Sequence, residues 1–139
     1  MFQKILVAYD GSDRANRALA VGINLAQTHG AELWALAVQE GVPPFSAIID
    51  ETDEEKLFAE HQSGKLLETP QARAQEAGIE IKTMVRPGFP AKIILEVTKE
   101  GNFDLLLIGA SGISGMWRFL GTTAEKVIRH ALCSVVIVR

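Results

Sequence analysis

Ile5-Leu6-Val7-Ala8-Tyr9-Asp10-Gly11-Ser12 holds a strand, the turn that ends it and the cap of the helix that follows. The apolar side chains from Ile5 to Tyr9 run without alternation, the pattern of a strand covered on both faces. Asp10 and Gly11 stop the run, and Ser12 or Asp13 can cap a helix in which Ala15, Ala18, Leu19, Gly22, Ile23 and Ala26 recur on one stripe. Gly30 ends that helix after His29. The same strand-then-helix order repeats downstream. Leu33 to Val38 reads as a second buried strand, and Leu105-Leu106-Leu107-Ile108 as a fourth, as apolar as the first. Ile79 to Val85 alternates in part, which predicts a third strand with one wet face at a sheet edge. Val135 to Val138 closes the chain as the fifth.

The connections fit the same scheme. Residues from about Asp53 to Ala77 favour helix, but Pro70 lacks the amide a helix interior requires. The expected result is one helix to about Glu68 and a kinked or new one from Pro70 to Ala77. Ile93, Ile94 and Val97 mark a short amphipathic helix after Pro87-Gly88-Phe89-Pro90, finished by Gly101. Thr122 to Ala131 forms the last, with Ala124, Val127, Ile128 and Ala131 facing inward. The alternation predicts an α/β fold, a doubly wound five-stranded parallel sheet with helices on both faces. The order 3-2-1-4-5 keeps every crossover right-handed and leaves the third strand at an edge, with a switch point between strands one and four.

Composition narrows the function classes. At 139 residues, 47% of them hydrophobic and 22% charged, the chain is the size and make-up of one folded domain, residues 1–139. A net charge of −3 supplies no clustered positive field for a nucleic-acid backbone. Met1-Phe2-Gln3-Lys4 leads straight into the first strand without the pattern of a secretory leader, and no apolar stretch reaches membrane-spanning length. Cys133 is the single cysteine, read as a buried small apolar residue in a reducing compartment; a cytoplasmic location is the expectation. His29, His61 and His130 lack metal-ligand spacing and read as surface or cap residues, and no general base stands paired with a nucleophile.

The segment between the fourth strand and the last helix carries the chemistry. Gly109, Gly112 and Gly115 fall close together, then Gly121-Thr122-Thr123 opens the helix. Glycines let backbone amides face a ligand closely, and the first amides of a helix are unpaired donors at its positive end, which together suit phosphate. Arg118 and Lys126 can supplement them. Thr122 and Glu125 also fit a capping box, a role that need not exclude the first. Asp10, across the switch point, could accept from a nucleotide's amine or ribose hydroxyl; on spacing alone the Asp-Gly pair favours a turn, and its combination with the distant glycine loop is what raises the ligand reading.

On these residues the chain resembles the universal stress protein family from Lys4 to Arg139. Ile5 to Ser12 is similar to that family's opening strand and acidic turn, and Gly121 to Val127 with Ala131-Leu132-Cys133 to its closing helix and final strand. Gly109 and Gly112 match the first half of the glycine pattern in the nucleotide-binding branch. The resemblance implies an adenine nucleotide alpha hydrolase-like fold holding ATP, ADP or AMP, with Mg²⁺ or Mn²⁺ carried through the phosphates. It also implies that Asp10 and the backbone of Val38 meet the adenine and that Gly109 lies near the ribose. Gly112, Gly121, Thr122 and Thr123 would hold the phosphates, and Ala8, Ile108 and Ser111 would line the pocket. Ile113 to Leu120 gives eight residues where the binding branch has nine, a change that bears on the amides facing the phosphates. A homodimer through strand Val135–Val138 is implied too, and an exposed apolar edge strand invites it. The expected function is nucleotide binding in a regulatory or stress-response role. The alternative is a dimeric scaffold of the branch that binds no nucleotide, and slow ATP hydrolysis is the third reading.

Overall fold

A computed structural model describes residues 1–40, 61–110 and 122–139 of the chain. Its elements are β1 (Lys4–Ala8), α1 (Asp13–His29), β2 (Glu32–Gln39), α2 (Glu68–Glu76), β3 (Ile81–Pro87), α3 (Pro90–Glu100), β4 (Leu105–Gly109), α4 (Thr122–His130) and β5 (Ser134–Val138). All five strands pair in parallel in one sheet of order β3-β2-β1-β4-β5, as expected.

The uninterrupted apolar runs follow from this arrangement. Ile5, Val7, Leu105 and Leu107 point into a core formed with α1 and with Leu67 and Ala77 at the two ends of α2. Leu6, Leu106 and Ile108 point the other way, against Ile93, Ile94 and Val97 of α3 and Ala124 and Val127 of α4. A central strand with a helix layer on each side has no face to leave polar. β3, at the edge, is mostly half-buried with exposed positions at Lys82 and Pro87, which accounts for its mixed pattern.

Caps set the helix ends. Ser12 Oγ accepts from the Ala15 amide at 3.1 Å, and Gly30, at φ +63°, lets the Ala31 amide reach the Ala26 carbonyl at 3.0 Å. α2 closes likewise: Gly78 is at φ +74°, its amide donates to Gln75 O and that of Ile79 to Ala74 O, both at 3.0 Å. These bonds are the reason β3 begins at Ile81 and not at Ile79, because Ile79 is still closing the preceding helix.

The break before α2 falls at Leu67, not at Pro70. Residues 61–66 are helical, Leu67 is a turn and the next helix starts at Glu68, with Pro70 fully buried in its first turn. Pro70 has no amide to offer the carbonyl of Leu66, so the disruption appears one turn upstream of the proline itself.

Two inward assignments in and after α4 need correction. Ala124 and Val127 are buried, but Ile128 is 43% exposed and Ala131 only half-buried. β5 is the last strand, so the far flank of α4 has no further strand to cover. Cys133 is likewise half-buried, and burial pushes its thiol above the usual range. That direction fits packing better than reactivity.

Candidate functional site

Parallel strands deliver their carboxyl ends to one side of the sheet, and β2, β1 and β4 are adjacent there. β1 ends in a tight turn. Asp10 Oδ1 accepts from the Ser12 amide at 2.9 Å, Gly11 sits at φ +81°, and Ser12 caps α1. The turn role of Asp10 is therefore real. It engages one carboxylate oxygen, and a carboxylate has acceptor capacity for more. Asp10 itself is exposed. Gly11 is favoured by its left-handed backbone, and a Cβ there would lie 2.6 Å from Leu66 Cδ1, a side-chain tip that would have to shift. Leu66 lies one turn before Pro70, so the helical stretch of residues 61–66 reaches the Asp10 turn and is not remote from it.

Ala8, Val38 and Ile108 lie on the same side of the sheet. All three side chains belong to the core on the α3 and α4 side, Ile108 at 6% exposure and the other two half-buried. The strand register explains the grouping: Ala8 pairs with Leu36, the Tyr9 amide donates to Leu36 O at 2.8 Å, and Val38 follows two residues on. Gly109 ends β4 opposite Val138. A Cβ at Gly109 would stand 2.9 Å from Arg14 Cβ, 3.1 Å from Arg14 C and 3.3 Å from Ala15 N, so its hydrogen is what allows the first turn of α1 to rest on the end of β4.

Thr122 and Thr123 open α4, Thr122 exposed and Thr123 half-buried. Glu125 pairs with Arg129 Nη2 at 2.9 Å through one carboxylate oxygen, one turn along the helix. The remaining expected contacts, Ser111, Gly112 and Gly121, lie outside the described residues, as does Arg118. Among the described residues no group of three or more His, Cys, Asp or Glu is placed to hold a metal ion, and no helix is long and apolar enough to cross a membrane.

Tyr9 joins the site to the core. Its ring is 4% exposed, its hydroxyl donates to Asn16 Oδ1 at 2.6 Å, and burial pushes the phenol above its ordinary value. A neutral ring there anchors the strand immediately before Asp10.

Two residues that sequence reasoning passed over belong to the same end of the sheet. Arg14 Nη1, in the first turn of α1, and Gln39 Nε2, at the end of β2, are buried and have no hydrogen-bond partner among the described residues. A sequence signal existed for the first: Arg14 continues the spacing Ala18, Gly22 and Ala26 one turn upstream, so an arginine stands on the buried stripe of α1.

Residues 1–139 match the "Universal stress protein family". The chain belongs to that family. Universal stress protein YxiE of Bacillus subtilis is 36% identical over 148 aligned residues, covering 100% of each chain. The universal stress protein UspA of Lactobacillus plantarum superposes with a TM-score of 0.78 at 26% identity, over 99% of this chain and 98% of that one. A universal stress protein in complex with cAMP superposes with a TM-score of 0.73, also at 26% identity, over 99% and 97% of the two chains. The fold shared with these universal stress proteins is the adenine nucleotide alpha hydrolase-like one.

Proposed function

We propose that this universal stress protein binds an adenine nucleotide, ATP or its di- or monophosphate, beyond the carboxyl ends of β2, β1 and β4. What supports the reading is the adjacency of β2, β1 and β4, whose carboxyl ends carry Val38, Ala8 with Asp10, and Ile108 with Gly109. Apolar side chains there offer a surface for the base, Asp10 an acceptor for its amine, and the start of α4 unpaired amides for phosphate. The family relative solved with cAMP supports an adenine ligand. Mg²⁺ or Mn²⁺ would enter with the phosphates, which supply the hard oxygen ligands such ions take. In the cytoplasm such a protein would act as a regulator, its bound nucleotide biasing the surface it shows to partners.

The test is titration with ATP, beside Asp10→Asn. Asparagine keeps the oxygen that accepts from Ser12 and so preserves the turn, while removing the charged acceptor. Asp10→Asn should bind ATP about 10-fold or more weakly with unchanged melting. Wild-type protein that shows no binding at roughly 1 mM ATP, an affinity of only about −4 kcal/mol, contradicts the proposal.

A homodimer belongs to the same reading. β5 is an edge strand whose Val135 to Val138 are all half-buried, and beside it stand Ile128 at 43% exposure and Leu132 at 86%. Pairing two copies antiparallel along β5 would cover that edge. Sedimentation at micromolar concentration should return the mass of a dimer; a monomer would remove this part of the proposal.

A further inference from the structure

Among the described residues, Arg14 has a donor that nothing satisfies. Its Nη1 is buried and has no hydrogen-bond partner among the described residues. No carboxylate lies within ion-pair distance of it among the three salt bridges there, Lys82–Glu32, Arg86–Glu100 and Arg129–Glu125. A buried donor on a permanently charged group is costly when nothing accepts from it, and such atoms in native proteins call for an explanation.

Position supplies one. Arg14 lies in the first turn of α1, with its Cβ directly over Gly109 at the end of β4. A long side chain at such a position leans toward the N-terminus of its own helix. α1 begins where β1 ends, so that direction leads past Gly109 to the carboxyl end of the sheet and away from the core. Among the described residues the other buried side-chain donor without a partner, Gln39 Nε2, lies at the same end, on β2. Both donors thus lie toward the carboxyl end of the sheet, Gln39 on β2 and Arg14 over β4 with β1 between them, and for Arg14 the missing component is an acceptor. For a guanidinium, with its planar fork of N–H groups, the matching acceptor is a phosphate or carboxylate.

We infer that Arg14 is a phosphate-contacting residue of the nucleotide site, its Nη1 donating to a phosphate oxygen and so favouring charged nucleotides over the nucleoside. The inference rests on the adenine-nucleotide reading above and adds a cationic side chain to main-chain donors. It also gives Gly109 a second role. Any side chain there would push the first turn of α1 outward and carry the guanidinium away from the crevice.

Arg14→Met, which keeps an aliphatic stem of similar reach, separates this role from a structural one. Affinities for ATP, ADP and adenosine are measured by calorimetry on the full chain, with melting curves of each ligand-free protein. Arg14→Met should weaken ATP and ADP about 10- to 100-fold, the loss expected for one charge-assisted hydrogen bond. It should change adenosine affinity by less than about 3-fold, within ordinary context variation for a residue that does not touch the nucleoside. Melting of the ligand-free variant should be equal or higher, because an unsatisfied charged donor has gone. Arg14→Lys should recover part of the ATP affinity. Equal loss for adenosine and ATP, a lowered melting temperature without nucleotide, or unchanged ATP affinity would each overturn the inference while leaving nucleotide binding intact. Wild-type protein that binds neither ATP nor adenosine would overturn the underlying reading and this inference with it.

Discussion

Gly109→Val should melt well below the wild type and lose the proposed affinity for adenine nucleotide. The added Cβ alone would meet Arg14 Cβ at 2.9 Å, Arg14 C at 3.1 Å and Ala15 N at 3.3 Å. Two of those three atoms are main chain in the first turn of a 17-residue helix, which cannot swing aside as a side-chain tip can. The cheapest response is to displace the start of α1. That displacement loosens the Ser12 cap and moves the Asp10 turn, which the same segment carries. Overpacking of this kind costs about 1–3 kcal/mol and sometimes more. Binding should fall further than stability does, because the groups proposed to hold the base and phosphate move apart. Thermal melting with ATP titration on the same sample checks both. A variant that melts like the wild type would show that α1 and β4 are not in the contact described.

Leu107→Ala should give the larger loss of stability alone. Leu107 is 0% exposed at the centre of β4, in the core beneath α1, and its Cδ1 would stand 3.1 Å from a Cβ placed on Gly22. That glycine allows α1 to lie close over β1 and β4, so the leucine fills the space directly below a helix that is already near. Truncation leaves a cavity between a helix and a sheet held rigid by strand pairing on both sides. Losses of about 2–5 kcal/mol are usual for such a change, on the order of 10 °C in Tm for a domain of this size. Since Leu107 points away from the face shared by Ala8, Val38 and Ile108, nucleotide affinity at a temperature where the variant is folded should hardly change. Denaturant unfolding would measure the first effect. A loss below about 1 kcal/mol would mean that the site collapses around the smaller side chain.

Much of this architecture was legible because the strands are buried on both faces. Ile5 to Tyr9 and Leu105 to Ile108 show no alternation, and that pattern leads directly to a parallel sheet with two helix layers. The polar interruptions of β3 were enough to place it at an edge. What was not legible depended on neighbours distant in sequence. Ile79 looks like strand, but its amide is used to close α2. Pro70 marks a break whose effect appears at Leu67, one turn earlier. Ile128 has the spacing of a buried residue on α4 and yet faces out, because the sheet stops at β5.

The site divides in the same way. Asp10 and Gly109 stand out at strand ends, Val38, Ala8 and Ile108 are implied by the family resemblance, and the fold sets β2, β1 and β4 side by side. Glu125, read from the sequence as part of a capping box, also pairs with Arg129 one turn along α4. Arg14 and Gln39 drew no attention because a polar residue beside an apolar run ordinarily faces water. Only the register of the strands and the packing of α1 on Gly109 show that both have buried, unpaired nitrogens at the same end.

The central claim is that the carboxyl end of this sheet is built to receive an adenine nucleotide. Its most direct test is chromatographic analysis of small molecules released on denaturing protein that has been equilibrated with ATP and freed of excess. The account predicts adenine nucleotide at close to one per chain from wild-type protein, and much less from Asp10→Asn prepared in parallel. Folded wild-type protein that releases none, and shows no heat of binding when titrated with ATP and Mg²⁺, would contradict it.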